Sequence, residues 1–300
     1  MIPEANLGEG GLELVVVETS GDRLGEATRA GGDKSRWVAE LEYALLGGKI
    51  DLAVHSAKDV PGETVDGLEL LGVVERAPAE DVLVGAASLE ELPTGGVVGT
   101  SSVRRRAQLL AVRPDLEVVS LRGNVDTRMR KLAQKVTSGS PESTGERGGG
   151  GRLDAIVLAS AGLHRLGRER DIGCTLHAER FVPAPGQGAL ALQARAGDTT
   201  VRAAIEGILD MDATACLTAE RTLAQELDAS CNTPLGAHAT TTGRDLLLRA
   251  WVGLPDGSEW LSDELLGDFH EPVELGRQMA QRMEGVGARD LLRRAEEMVV

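Results

Sequence analysis

Arginines stand where two helices should begin, and they are the residues of this chain best placed for chemistry. Residues 99–132, GTSSVRRRAQLLAVRPDLEVVSLRGNVDTRMRKL, hold eight Lys/Arg against three Asp/Glu. That is a local charge of +5 in a chain whose net charge is −15. Ser101 or Ser102 suits an N-cap, and Val103, Ala107, Leu110 and Ala111 recur at helical spacing, which predicts a helix over 103–112. Arg104, Arg105 and Arg106 then fall in its first turns, at the positive end of the helix dipole. The strand-like EVVSL of 117–121 is followed by Arg122, Gly123, Asn124 and a second helical pattern over 125–135, with Arg128 in its first turn. Cations at both helix starts make sense if each receives an anion, because backbone N–H groups and guanidiniums then act together. A solvated charged face accounts equally well for one such helix. Two in succession, each after a strand, favour anion binding.

Other candidates are single residues. Asp59 lies at a strand end beside Lys58, where a loop ion pair is the plain alternative to a catalytic carboxylate. Among arginines on neighbouring strand ends, a carboxylate suits the stabilisation of a transient cation on a substrate. His55 has no nucleophile to serve and is expected to be structural. Cys231 sits in the turn DASCNTPLG, and its residues alone leave two possibilities level: apolar packing, or an exposed point of covalent attachment. Cys174 and Cys216 are expected to be structural.

Three cysteines so scattered exclude a disulfide framework and a CxxC metal site, so no metal is expected. No apolar run approaches the roughly 20 residues that span a bilayer, and the first residues have no secretory-signal pattern. A cytoplasmic protein without a membrane partner follows as an expectation. The excess of acid repels nucleic acid at long range, and the 2% aromatic content offers few bases a stacking partner. A basic cleft in such a chain selects small anions.

The positioning elements follow from the pattern. DLAV (51–54), GVVG (96–99), EVVSL and DAIVLAS (154–160) are short buried strands ending in polar residues, and helices at 37–46, 103–112 and 125–135 alternate with them. That alternation predicts a parallel α/β sheet with ligands beyond the carboxyl ends of its strands. Breaks near 76–80 and 182–189 suggest crossovers between two α/β lobes, one of residues 1–75 with 189–207 and the other of residues 76–182. Residues 211–300 suggest a smaller α+β domain: a helix over 213–227, a hairpin of DLLLRAWVG and SEWLSDEL about a Pro-Asp-Gly turn, and one C-terminal helix. TSGSPESTGERGGGG (137–151) is expected to be a surface loop.

DLAVHSAKDVP, GTSSVRRRAQL, SLRGNVDTRMRKL, DAIVLASAGLHRLG, VPAPGQGALALQAR and LDASCNTPLGAHA together resemble the porphobilinogen deaminase (hydroxymethylbilane synthase) family, in that family's order and from about residue 13 to the end. The resemblance implies two lobes like those of periplasmic binding proteins, plus a third domain. It implies a transferase of tetrapyrrole biosynthesis, expected to be a monomer, that condenses four porphobilinogen molecules head to tail with loss of ammonia and then releases 1-hydroxymethylbilane by hydrolysis. A dipyrromethane primer is implied as a thioether on Cys231. Asp59 takes the catalytic position with Lys58 and Ser56 beside it. Thr100, Ser101, Ser102, Arg104, Arg105, Arg122, Asn124, Arg128 and Arg165 take the carboxylate-holding positions. Gln187 and Gly188 fall in the interdomain segment, and Lys34 falls in a loop over the site. Pyrroles bearing acetate and propionate suit the arginines, and loss of ammonia leaves an azafulvenium-like cation that Asp59 can stabilise.

Two departures accompany the resemblance. The 137–151 segment is longer than the family usually shows. No Arg-x-Ser-x-Leu-Ala strand and helix precedes LELVVVETSGD at 12–22. The expectation is that the natural reading frame starts upstream or that the chain is a fragment, with residues 1–300 poorly soluble or inactive and 76–182 still compact. Rival functions are a two-lobed binding module for a small carboxylated ligand and an inactive truncated homologue. The first would need neither Asp59 nor Cys231.

Overall fold

The computed structural model describes residues 11–15, 17, 35–134, 153–230 and 233–299, arranged as a mixed α/β structure with three sheets. Lys34, Cys231 and the 137–151 segment lie outside the described residues.

Helix α1 (Ser35–Leu46) precedes strand β1 (Ala53–Ser56), and β2 (Leu68–Val73) follows. The third member of this sheet is distant in sequence: β8 (Leu190–Arg195) lies between β1 and β2 and is antiparallel to both. The parallel arrangement expected from the pattern does not hold here. β8 re-enters from the second sheet through residues 183–189 and so runs against the two strands that flank it. Gln193 on β8 pairs with Ala53 of β1 and Leu70 of β2, at the centre of the sheet.

The second sheet contains the strands foreseen from the sequence and two that were not. Its order is β5 (Glu117–Val119), β4 (Val97–Gly99), β6 (Ala155–Ala159), β3 (Asp81–Val84), β7 (Cys174–Leu176). β5, β4 and β6 are parallel, and helices α2 (Val103–Val112) and α3 (Val125–Ala133) leave the carboxyl ends of β4 and β5. β3 is antiparallel to both β6 and β7, so this sheet is also mixed. That reversal positions an acid: Asp81, the first residue of β3, pairs with Ala159 at the carboxyl end of β6. Both faces of β6 are buried, Ala155 and Val157 with Leu83, Val98 and Leu109, Ile156 and Leu158 with Val82, Leu121 and Leu163. Such two-sided burial explains why these strands are short unbroken apolar runs. The short helix α4 (Ser160–Arg165) follows β6 directly.

After α5 (Thr199–Ile205), the long helix α6 (Met211–Glu226) leads to an antiparallel meander of β9 (Leu235–Thr242), β10 (Asp245–Gly253) and β11 (Trp260–Asp268). Leu246, Leu248, Ala250 and Val252 alternate inward from β10 onto Leu223 of α6 and onto Leu275, Met279, Leu291 and Leu292. Those last four belong to two helices, α7 (Pro272–Gly285) and α8 (Ala288–Val299), rather than to the single C-terminal helix expected. Gly287, at φ +99°, turns the chain between them where a side chain would be strained. The turn joining β10 to β11 touches the second sheet's helix: a Cβ on Gly257 would collide with the backbone of Leu110 and Ala111 in α2. Beside it, Trp251 packs with Ala107 and Val182. No helix among the described residues is long and apolar enough to cross a membrane.

Candidate functional site

The first arginine-bearing helix start is built as its sequence suggests, but two of its arginines turn inward. Thr100 directly follows β4 with its N–H on Val119 O (2.9 Å), and its Oγ1 accepts the Ser102 N–H (3.2 Å). Ser102 caps α2 by accepting the Arg105 N–H at 3.4 Å, and Ser101, exposed, shares a 3.1 Å hydrogen bond with Ser120 Oγ. Arg104 and Arg105 are buried and meet on the carboxylate of Asp81, itself 1% exposed. Arg105 donates from Nε to Asp81 Oδ1 at 2.9 Å, and its Nη2 lies 2.7 Å from the same oxygen. Arg104 Nη1 lies 2.8 Å from Asp81 Oδ2 and donates to Val182 O, also at 2.8 Å. Burial alone would push the Asp81 carboxyl up, yet the two guanidiniums hold it well below the usual carboxylate range.

The second helix start lies nearby. Asn124 caps α3 by accepting the Thr127 N–H at 2.8 Å, and Arg128 Nε donates to Gly123 O at 2.8 Å. Burial pushes the Arg128 guanidinium down, and the charge of Arg105 pushes it the same way. Arg122 is exposed, and its carbonyl accepts from Lys131 Nζ (3.1 Å).

The candidate catalytic carboxylate belongs to the first sheet. Beyond β1, residues Ala57–Asp59 form one 3-10 turn, with Ser56, Lys58 and Asp59 partly buried. Behind it, His55 Nε2 and Gln193 Oε1 are 2.9 Å apart, and Gln193 Nε2 donates to Glu42 Oε1 at 3.2 Å. Burial lowers the His55 pKa and favours the neutral ring, in keeping with a structural role.

One short segment touches both sheets' contributions. Gln187, 1% exposed, donates from Nε2 to Ala79 O (2.6 Å) and Asp81 Oδ1 (2.8 Å), while Arg105 Nη2 donates to its Oε1 (3.4 Å). The next residue, Gly188, accepts from Arg165 Nη2 at 2.8 Å. Its φ of +87° and the adjacent Ala77 carbonyl leave no room for a Cβ. Ala189 O then accepts the Ala57 N–H at 3.0 Å, which ties the turn of Lys58 and Asp59 to the same strand of contacts. Thus the structure brings Asp81, Arg104, Arg105, Arg165, Gln187, Gly188 and the Asp59 turn into one connected array. Arg122 and Asn124 stand at the start of α3, outside those contacts.

Sequence reasoning missed three charged members of this neighbourhood. Asp81 opens a four-residue apolar strand, and its partners are 23 and 24 positions away. Arg76 and Glu220 form a buried bidentate pair (2.7 and 3.1 Å), and Arg76 Nε also donates to Gln187 O (3.0 Å). Glu220 further accepts the N–H groups of Gly186 and Ala239, each at 2.7 Å. One carboxylate therefore joins the two crossover segments to α6 and β9. The only local signal was an acid within an otherwise small and apolar helical face. Cys216, one turn earlier on α6, is buried, and burial beside Glu220 pushes its thiol up to about 12, as suits a structural cysteine.

Residues 3–203 match the family model described as porphobilinogen deaminase, dipyromethane cofactor binding domain, and residues 214–285 match the model of the porphobilinogen deaminase C-terminal domain. The porphobilinogen deaminase of Thiobacillus denitrificans is 43% identical over 284 residues, covering 94% of this chain and 88% of the relative. That of Deinococcus deserti is also 43% identical, over 293 residues, 95% of this chain and 89% of the relative. Among solved structures, the periplasmic domain of Bordetella pertussis BvgS overlaps 57% of this chain and 31% of its own, at 19% identity and a TM-score of 0.31.

Proposed function

The chain belongs to the porphobilinogen deaminase family, and from that premise we propose how its residues divide the work of a hydroxymethylbilane synthase. The enzyme is a transferase that condenses four porphobilinogen molecules head to tail on a dipyrromethane cofactor, with loss of ammonia at each addition, and then releases 1-hydroxymethylbilane by hydrolysis.

The donor set fits such a cofactor. Arg104 and Arg105 share one carboxylate, Asp81, and Arg128 lies close enough for the charge of Arg105 to act on it, leaving positive charge in excess. Arg104 Nε is buried and has no hydrogen-bond partner among the described residues. Dipyrromethane, when bound, supplies the carbon on which the chain grows, and Cys231 is the residue we assign to hold it through a thioether. Arg104, Arg105, Arg122 and Arg128, with Thr100, Ser101, Ser102 and Asn124 about the two helix starts, hold its acetate and propionate groups. Arg165, Gln187, Gly188 and Lys34 hold the incoming substrate. Asp59, with Lys58 and Ser56 beside it, keeps the departing amine protonated, stabilises the cation left on the substrate when ammonia leaves, and accepts the proton that the attacking pyrrole carbon loses once the new carbon–carbon bond has formed.

We further read the first two sheets as lobes like those of periplasmic binding proteins, residues 1–75 with 189–207 and residues 76–182, and residues 211–300 as the domain that presents Cys231. The protein acts as a cytoplasmic monomer in this scheme.

The observation that carries the residue assignment is the contact line through Gln187, Gly188 and Ala189, which joins the Asp59 turn to the arginine cluster within three residues. The test is intact mass and turnover. Wild-type protein made with porphobilinogen available should exceed its polypeptide mass by two pyrrole units, and Cys231→Ser should show the bare mass and no product. An active enzyme with an unmodified Cys231 would overturn the attachment site.

A further inference from the structure

Successive residues on an α-helix point about 100° apart, yet Arg104 and Arg105 converge on the same buried acid. A carboxylate inside an anion-holding cluster weakens the pull of that cluster on anions. Its presence calls for a compensating role, and the geometry points to one. We propose that Asp81 is a positioning residue for carboxylate capture, a role that rests on the assignment of Arg104 and Arg105 above.

Arg105 is consumed by internal partners. Its Nε and Nη2 lie on Asp81, its Nη1 donates to Val157 O at 3.2 Å, and its Nη2 also reaches Gln187 Oε1. Arg104 is held at one end only, with Nη1 between Asp81 and Val182 O, while Nε is buried and without a partner among the described residues. A buried N–H left unpaired is costly, so this donor is where a ligand carboxylate gains most. Asp81 therefore makes the two arginines unlike. Arg105 becomes the anchor that locks the cluster to Gln187 and holds the ligand's carboxylates through its charge, and Arg104 becomes the direct hydrogen-bond donor to them. Asp81 also holds the two adjacent guanidiniums of Arg104 and Arg105 together before any ligand arrives, when their mutual repulsion would otherwise spread them. Its place in the fold suits the task, since antiparallel β3 puts its first residue at the carboxyl end of β6, level with the crossover segment.

The test uses full-length protein produced without porphobilinogen, then exposed to it, with primer acquisition timed by intact mass and folding followed by thermal melting. Asp81→Glu keeps the charge and the fold but moves the guanidiniums by about one methylene. It should acquire primer at least tenfold more slowly than wild type at a similar melting temperature. Asp81→Asn should be slower still and melt earlier. If either variant, once folded, acquires primer at the wild-type rate, Asp81 is only a structural ion-pair partner and the proposal fails. A wild-type protein that gains no pyrrole mass would instead overturn the cofactor assignment itself, so the two failures are distinguishable.

Discussion

Two carboxylates at the centre of the molecule face opposite demands. Asp59 stands on a turn after β1, partly exposed to whatever enters, whereas Asp81 is sealed between guanidiniums. Asp59→Asn keeps the shape and removes the charge, so kcat should fall by about 10²–10³, as it does when an electrostatic stabiliser is lost from a reacting centre. The mass should still show the attached pyrroles, which separates chemistry from cofactor holding. Asp81 predicts a dependence on acid instead. In the fold it stays ionised well below its ordinary value of 3.8, while the unfolded chain takes up the proton near 3.8. The unfolded state then binds more protons in that window, so the contribution of Asp81 is full above about pH 4 and is lost as the pH falls towards the folded value. Acid titration of stability should show that decline in wild type. Asp81→Asn should be less stable at neutral pH and lose less on acidification.

At the scale of elements, the sequence was most legible where the code is local. Ser102, one of the two caps offered for α2, bonds the N–H three residues on, and α3 was found from its helical pattern, its own cap Asn124 emerging only in the structure. GVVG and DAIVLAS mark β4 and β6 because they are short apolar runs buried inside the sheet, and EVVSL marks the edge strand β5 because Val118 and Val119 pack on its two faces. What escaped is non-local. DVLV is as apolar as those strands, but nothing within it says that β3 runs antiparallel, and without that direction Asp81 has no visible partner. β8 lies in the VPAPGQGALALQAR motif, yet its place between β1 and β2 depends on a chain reversal across two sheets. The arginines themselves were found, whereas the inward turn of Arg104 and Arg105 was not, because their acid lies on a strand the spacing does not connect to them. The crossover offers a sharp test at this scale. Gly188→Ala adds a methyl group to a left-handed position facing the Ala77 carbonyl. It should lower the melting temperature and raise KM for porphobilinogen together, because the segment carries both the chain reversal and the Arg165 contact.

For the molecule as a whole, Arg76 and Glu220 are the joint. Glu220 is 0% exposed, and its oxygens serve Arg76, Gly186 and Ala239, which come from the two crossovers and the third sheet. Removing one partner of a buried pair leaves the other charge uncompensated, at a cost of about 3–5 kcal/mol. Glu220→Ala should therefore lower the free energy of unfolding by that order, measured by chemical denaturation. It should also split the calorimetric transition, with α6 and the β9–β11 sheet separating from the rest. A single unshifted transition would show that the sheets are coupled elsewhere, for instance through Arg221, whose guanidinium donates to the carbonyls of Val60, Pro61 and Gly62.

The seat of Trp251 has a spectroscopic consequence. The chain contains three tryptophans, one tyrosine and two phenylalanines, so its ultraviolet emission comes almost wholly from Trp37, Trp251 and Trp260. Trp251 is 4% exposed and wedged between its own sheet and Ala107 of the arginine helix, while Trp260 is about half exposed. Replacing Trp37 and Trp260 with phenylalanine leaves one fluorophore at the seam between β10 and α2. Its emission should be blue and poorly quenched by iodide while the seam is shut, and should shift red if the two surfaces part as the pyrrole chain lengthens. Stopped-flow fluorescence on such a protein would time that motion one addition after another.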